Sequence, residues 1–254
     1  MSETPILYSA ADSIARITLN RPDKRNALNA EVVAGLADGL RRADADASVK
    51  VILLTGAGKD FCSGADLANL QKVAQNGVIE NMNDARAMAN VFLAIRKHRC
   101  PVVAAVRGRA LAGGCGLATA CDLILASHTA QFGYPEVNIG FIPAMVMAIL
   151  RRNVSEKQAF EMITMGDPMP ASQAYFAGLV NQVWSDGEFE QRVEEYVAKL
   201  ASKSASAVQL SKNLLYHMDG MTFETALESG VHANGIARQT EDCKAGIAKF
   251  LNKS

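Results

Sequence analysis

Several function classes are excluded by what this chain does not carry. Its 254 residues hold 26 Lys+Arg against 26 Asp+Glu, so it has no net charge. A protein whose main business is nucleic acid carries a basic excess, and none exists here beyond what a local patch would supply. Long apolar runs are missing too. The longest uncharged stretch, Val137 to Leu150, is broken by Asn138, Gly140 and Pro143 and falls short of the ~20 residues that span a bilayer. The first residues, Met1 to Pro5, show no basic segment leading into an apolar one, so no secretory signal and no membrane partner are expected. The five cysteines (Cys62, Cys100, Cys115, Cys121, Cys243) are odd in number and form no CxxC pair. That arrangement fits free thiols in a reducing cytoplasm, and neither a disulfide framework nor a zinc site.

Familiar catalytic motifs are absent as well. Gly56-Ala-Gly58-Lys59 follows an apolar run, yet a phosphate-binding loop needs glycine at position 53, which is Leu53. A dinucleotide fingerprint needs glycine at position 61, which is Phe61. There is no GxSxG and no HExxH. The histidines, His98, His128, His217 and His232, are far apart and read as surface or supporting residues. No metal is expected.

What the chain has is ample apolar material, 49% of its residues, enough for a large core. Ile14 to Leu19, Val49 to Thr55, Val102 to Val106, Cys121 to Ala126 and Leu179 to Trp184 read as strands, the middle three buried. Glu31 to Ala45 has helical spacing, with Asn29 as its N-cap. Ile79 to His98, a short stretch opened by Gly113-Gly114, Pro143 to Leu150 and Glu156 to Thr164 also read as helical. Strands followed by loops and helices give an α/β fold. Past Asp186 the signal is helix only, in Glu188–Leu200, Ala205–His217, Phe223–Gln239 and Glu241–Leu251. Residues 1–186 are therefore expected to form the core, and residues 187–254 a helical region packed on that core or on a neighbouring subunit.

Three segments place small residues at strand ends: Phe61 to Leu67, Gly108 to Leu117, and Gln131 to Val137. Glycine lets a ligand approach the backbone N–H, and the start of a helix offers free N–H groups with a favourable dipole. Two such groups aimed at one oxygen make an oxyanion hole.

These segments, in order, make the chain resemble the enoyl-CoA hydratase/isomerase family, also called the crotonase family, over nearly its whole length. The marks are Leu19-Asn20-Arg21-Pro22 with Asn26-Ala27-Leu28-Asn29, then Phe61-Cys62-Ser63-Gly64-Ala65-Asp66, then Gly108 to Cys115, then Ala120-Cys121-Asp122, then Phe132 to Glu136 with Gly140-Phe141-Ile142-Pro143. The resemblance implies the crotonase (ClpP/crotonase-like) fold of repeated ββα units with a C-terminal all-helical trimerisation region. It implies acyl-CoA thioesters as substrates and an enolate held by the amides of Ala65 and Gly113. Coenzyme A then enters as part of the substrate, and no separate cofactor is expected. Ser63, Gly64, Asp66, Leu67, Leu111, Gly114, Gly116 and Pro135 fall beside the thioester in this pattern. Arg25 and the backbone of Ala27 and Leu28 fall on the family's CoA-binding stretch. Phe250 and Lys253 match a neighbouring subunit's Phe and Lys near the adenine. Homotrimers or hexamers are the implied assemblies.

Hydratases of the family resemble one another in using two glutamates. The second matches Glu136; the first matches Gly116, so it is missing. Adding water across a double bond asks for one group to activate water and one to protonate carbon, whereas a single carboxyl group suffices to carry a proton between two carbons. Glu136 stands among Phe132, Tyr134, Val137, Ile139 and Phe141; closure of these around it would raise its pKa. Met145 and Met147 read as core. The expected activity is isomerase- or hydratase-type chemistry with one catalytic glutamate. Hydration with one glutamate, decarboxylation, and CoA-thioester binding without turnover are the alternatives. RNA binding, reported for some relatives, lacks its basic stripe here.

Overall fold

Alternation along parallel strands decides which layer each residue enters. The computed structural model describes residues 4–66, 71 and 74–252. Its main sheet has six strands in the order β1 (Ile6–Ala11), β2 (Ile14–Leu19), β3 (Val51–Gly56), β4 (Val102–Val106), β6 (Leu123–Ser127), β9 (Gln182–Trp184). β1 and β2 are antiparallel; every later pair is parallel, with Ile52 beside Val102 and Val103 beside Leu123. A parallel sheet is covered on both faces, so its strands are apolar throughout. Ile52, Leu54, Val102, Ala104, Ile124 and Ala126 enter the larger core. Val51, Leu53, Val103, Ala105 and Leu125 point the other way.

The larger core is roofed by α1 (Ala30–Ala45) and α2 (Val78–Lys97). Asn29 caps α1 as its sequence predicts, its side chain accepting from Val32 N at 2.9 Å. A second sheet joins β5 (Arg109–Leu111), β7 (Gln131–Gly133) and β8 (Met169–Pro170). In chain order the remaining helices of this part are α3 (Gly113–Ala120), α4 (Ala144–Leu150), α5 (Glu156–Met165) and α6 (Ala171–Phe176). α3 is rich in glycine and alanine, poor material for an isolated helix. It is held by burial, since every residue from Gly114 to Ala120 is buried.

The helical region opens with α7 (Phe189–Ala201), which lays Phe189, Val193, Val197 and Ala201 on the second face of the main sheet. Each such side chain taken from water is worth about 1.5–3 kcal/mol for its size class. α8 (Ala205–His217), α9 (Phe223–Gln239) and α10 (Glu241–Leu251) pack on one another. Buried residues on this arm reduce to Lys212 of α8. No helix among the described residues is long and apolar enough to cross a membrane.

His98 departs from a surface position. It is buried, with Nε2 3.2 Å from Leu40 O and Nδ1 accepting from Cys100 N at 3.0 Å. It ties the end of α2 to Leu40 of α1 and to Cys100.

Candidate active site

Parallel strands release their loops at the same edge, and here three loops meet. The segment after β3 runs alongside β5: Cys62 N donates to Arg109 O at 2.9 Å and Leu111 N donates to Cys62 O at 3.0 Å. The two chains come so close at Gly64 that a Cβ there would lie 2.8 Å from Ala112 Cβ, and Gly64 has φ +95°. Glycine is required at that point. Leu28 closes the other side. Its N donates to Gly64 O at 2.7 Å, and its O accepts from Asp66 N at 2.9 Å. That bridge pins the residues flanking Ala65 and turns the Ala65 amide away from Leu28.

Gly113 is the first residue of α3. A Cβ on it would lie 3.2 Å from Leu28 Cδ1, so Leu28 joins both segments. The Ala65 and Gly113 amides have no hydrogen-bond partner among the described residues. The Gly113 amide also lies at the positive end of a helix. Such amides hold an oxygen on which negative charge develops. Ala112 aims the second one. It has φ +50° and ψ −128°, a region that L-residues avoid. Its N–H donates to Gly133 O at 2.8 Å, which fixes the strained turn to β7.

The third loop carries Glu136. It sits in a 3-10 turn, Pro135–Ile139, three residues past β7. Its side chain is 9% exposed, and its Oε2 is buried without a hydrogen-bond partner among the described residues. Burial raises its pKa above the ordinary carboxylate value, against a smaller opposing pull from its own amide. The closure expected around Glu136 is only half present. Phe132 and Tyr134 are buried, but Val137 and Phe141 are exposed and Ile139 is 69% exposed. Tyr134 and, from α3, Cys115 lie near the carboxyl, and Val137, Ile139 and Phe141, which follow Glu136, are left exposed. The carboxyl lies near Cys115 in the first turn of α3, whose thiol is pushed up to about 11, mainly by burial. Burial likewise pushes the Cys62 thiol up to about 12. Both thiols stay protonated at neutral pH and are poor nucleophiles.

Gly116 has no side chain, and its space is filled. A Cβ there would come closer than 3.0 Å to Val146 Cγ2 and within 3.3 Å of Phe92 Cζ. Met145 and Met147 are partly buried and flank Val146, which is the buried member of α4 at that level.

The loop assigned to CoA lies against the same site. Arg25 is exposed and adopts φ +50°, and its O accepts from Ser63 N at 3.0 Å. Ala27 N bonds Lys24 O, and Ala27 O accepts from Arg21 Nη1 at 2.7 Å. Ser63, Gly64 and Asp66 lie in the first of these loops, Leu111 ends β5, Gly114 is in the first turn of α3, and Pro135 opens the turn that carries Glu136. Phe250 is exposed on α10. Leu67 and Lys253 lie outside the described residues.

Residue patterns alone do not reveal the braces. Arg21 donates to Asp66 Oδ2 at 2.8 Å and to Ala27 O, and buried Asn26 donates to Ala57 O and Asp60 O. Asp122 is not in this cluster. It accepts from Lys212 Nζ at 2.7 Å, Val102 N at 2.6 Å and Tyr216 Oη at 2.6 Å, and so anchors α8.

Comparison with known proteins agrees with this architecture. The family model for enoyl-CoA hydratase/isomerase matches residues 9–254. A Thermus thermophilus protein provisionally assigned as an enoyl-CoA hydratase is 38% identical over 240 residues, covering 94% of this chain and 95% of its own. The 2,3-dehydroadipyl-CoA hydratase of Escherichia coli is 33% identical, covering 100% of this chain and 97% of its own. The crystal structure of an enoyl-CoA hydratase from Mycobacterium smegmatis superposes with a TM-score of 0.94 at 31% identity, covering 99% of this chain and 97% of that one.

Proposed function

Since the chain belongs to the enoyl-CoA hydratase/isomerase family, we propose that it moves a proton on an enoyl-CoA thioester, with Glu136 as the one carboxyl group that carries it. The thioester oxygen sits between the Ala65 and Gly113 amides. The Glu136 carboxylate takes a proton from C2 of a 3-enoyl thioester. The electron pair passes into the carbonyl as a dienolate, and the two amides stabilise the oxygen. Glu136 then returns the proton at C4, and the double bond moves from C3–C4 to C2–C3. Losing one donor from such a pair costs about 3–4 kcal/mol in other enzymes.

The observation behind this reading is a buried Glu136 carboxyl near Cys115 of α3, one oxygen of which has no hydrogen-bond partner among the described residues; Gly116, on the same helix, has no room for a second acid. Hydration is the second reading, favoured by the hydratase names of the relatives. In it, water adds OH at C3 and H at C2 of a 2-enoyl thioester. Incubation with 3-enoyl-CoA and 2-enoyl-CoA in heavy water separates the two. Deuterium at C4 of a 2-enoyl product, or at C2 of a 3-enoyl product, supports the shuttle; a dominant 3-hydroxyacyl product overturns it. The arm α8–α10 is the proposed oligomerisation element, and a homotrimer the proposed assembly.

A further inference from the structure

Positions 113 and 116 share one face of α3, because residues three apart in a helix are neighbours. A helical side chain leans back toward the helix N-terminus. Any side chain at 116 is therefore directed at the Gly113 amide end, where the thioester oxygen is placed. No side chain stands there, and the volume is occupied from outside. Val146 Cγ2 lies closer than 3.0 Å to the position of a Cβ on Gly116, and Phe92 Cζ lies 3.3 Å from it. Val146 belongs to α4 and Phe92 to α2, and both are buried. Neither is the loose end of a flexible side chain that swings aside. The next Val146 atom, Cβ, is at 3.7 Å, an ordinary contact.

We propose that Val146 is the specificity-determining residue of this site: its methyl group fills the space that the first carbon of any side chain at 116 needs, and so holds the enzyme to one-carboxyl chemistry. This rests on the reading that Glu136 works alone. The wall that Val146 and Phe92 present is apolar, so it offers an attacking water no hydrogen bond. A second acid at 116 therefore needs this volume vacated as well as a carboxyl group supplied. Restoring the acid alone cannot restore the chemistry.

The test is a cycle of Gly116→Glu, Val146→Ala and the double variant, read by melting temperature and by the ratio of 3-hydroxyacyl to isomerised product. Gly116→Glu alone is expected to melt roughly 3–10 °C lower through overpacking, with no rise in that ratio. The double variant is expected to recover part of the lost melting temperature and to raise the ratio about tenfold or more over either single variant. Gly116→Ser carries the same Cβ clash with less bulk, so its rescue by Val146→Ala tests the packing if Gly116→Glu fails to fold. Gly116→Glu alone gaining hydration without loss of melting temperature overturns the proposal, as does a double variant that recovers neither stability nor hydration. A parent enzyme that already hydrates faster than it isomerises overturns the one-carboxyl reading instead, while rescue of the melting temperatures still judges Val146.

Discussion

Burial holds the Glu136 carboxyl above the ordinary carboxylate range, and two effects of opposite use follow. As a base Glu136 acts only when ionised, so kcat/KM is expected to fall as pH drops through its raised pKa. That acid limb should lie above the ~4.3 of a free glutamate, and a limb at or below that value would remove Glu136 from the mechanism. The stability sign is the reverse. A folded pKa above the unfolded one means that the folded state binds more protons in the window between them, so stability declines as pH rises through that window. Glu136→Gln is expected to lower kcat roughly 100-fold or more and to raise the melting temperature at neutral pH. The gain should vanish below the unfolded glutamate pKa, as thermal scans against pH would show. A rate unchanged on the true substrate sinks the assignment. Ala112 stores strain of the same kind: with φ +50° and ψ −128°, its replacement by glycine relieves the backbone while loosening the aim of the Gly113 amide. Ala112→Gly is expected to melt higher and turn over more slowly.

Elements explain which parts were readable beforehand. The sequence spacing predicts α8, α9 and α10 with the bounds seen in the structure, because long stretches with strong caps and breakers depend little on distant partners. The parallel strands were readable because burial on both faces makes them continuous apolar runs. β1 was not, since its burial is slight along most of its length. β5, β7 and β8 hold two or three residues each and exist only through pairing with remote chain. The same divide runs through the site. The family resemblance, carried by these glycine patterns and the Pro-Glu pair, points to Gly113 and Glu136 as candidates, whereas nothing local tells that Val146 caps Gly116 or that Ala112 takes a positive φ. Arg21 lies in this unreadable part. It ties Asp66, next to Ala65, to Ala27 O, next to Leu28, and so braces the two segments that the Leu28–Ala65 bridge joins. Arg21→Ala is expected to cost about 10- to 100-fold in kcat by letting the Ala65 amide drift, with a smaller change in KM. Steady-state kinetics with a parallel melting curve would decide, and an unaltered kcat would reduce Arg21 to a loop charge.

The molecule as a whole divides its apolar surface unevenly. The sheet layers close on themselves, yet α9 and α10 contain no buried residue in the single chain. Phe223, Leu227 and Val231 recur every four residues along α9 and are all exposed, as are Ile247, Phe250 and Leu251 on α10. A stripe of that kind is far too apolar for a free surface, whereas it is suited to the core of an interface between identical chains. The arm cannot simply swing away from the body to find its partner. Lys212 of α8 donates from Nζ to Ile95 O, Cys100 O and Asp122, all buried or half-buried. Burial pulls the Lys212 pKa down, and Asp122 opposes it. Removing the cation while Asp122 stays leaves a buried charge short of its partner, at a cost of about 3–5 kcal/mol. The body therefore holds α8 in a fixed direction. Sedimentation equilibrium at micromolar concentration is expected to give three times the 27.1 kDa chain mass. Leu227→Asp with Val231→Asp should shift that mass toward the single chain without unfolding the sheet layers, because neither side chain enters their cores. A parent chain that sediments as a monomer, or paired aspartates that leave the assembly intact, would show that the exposed face of α9 is not where copies meet.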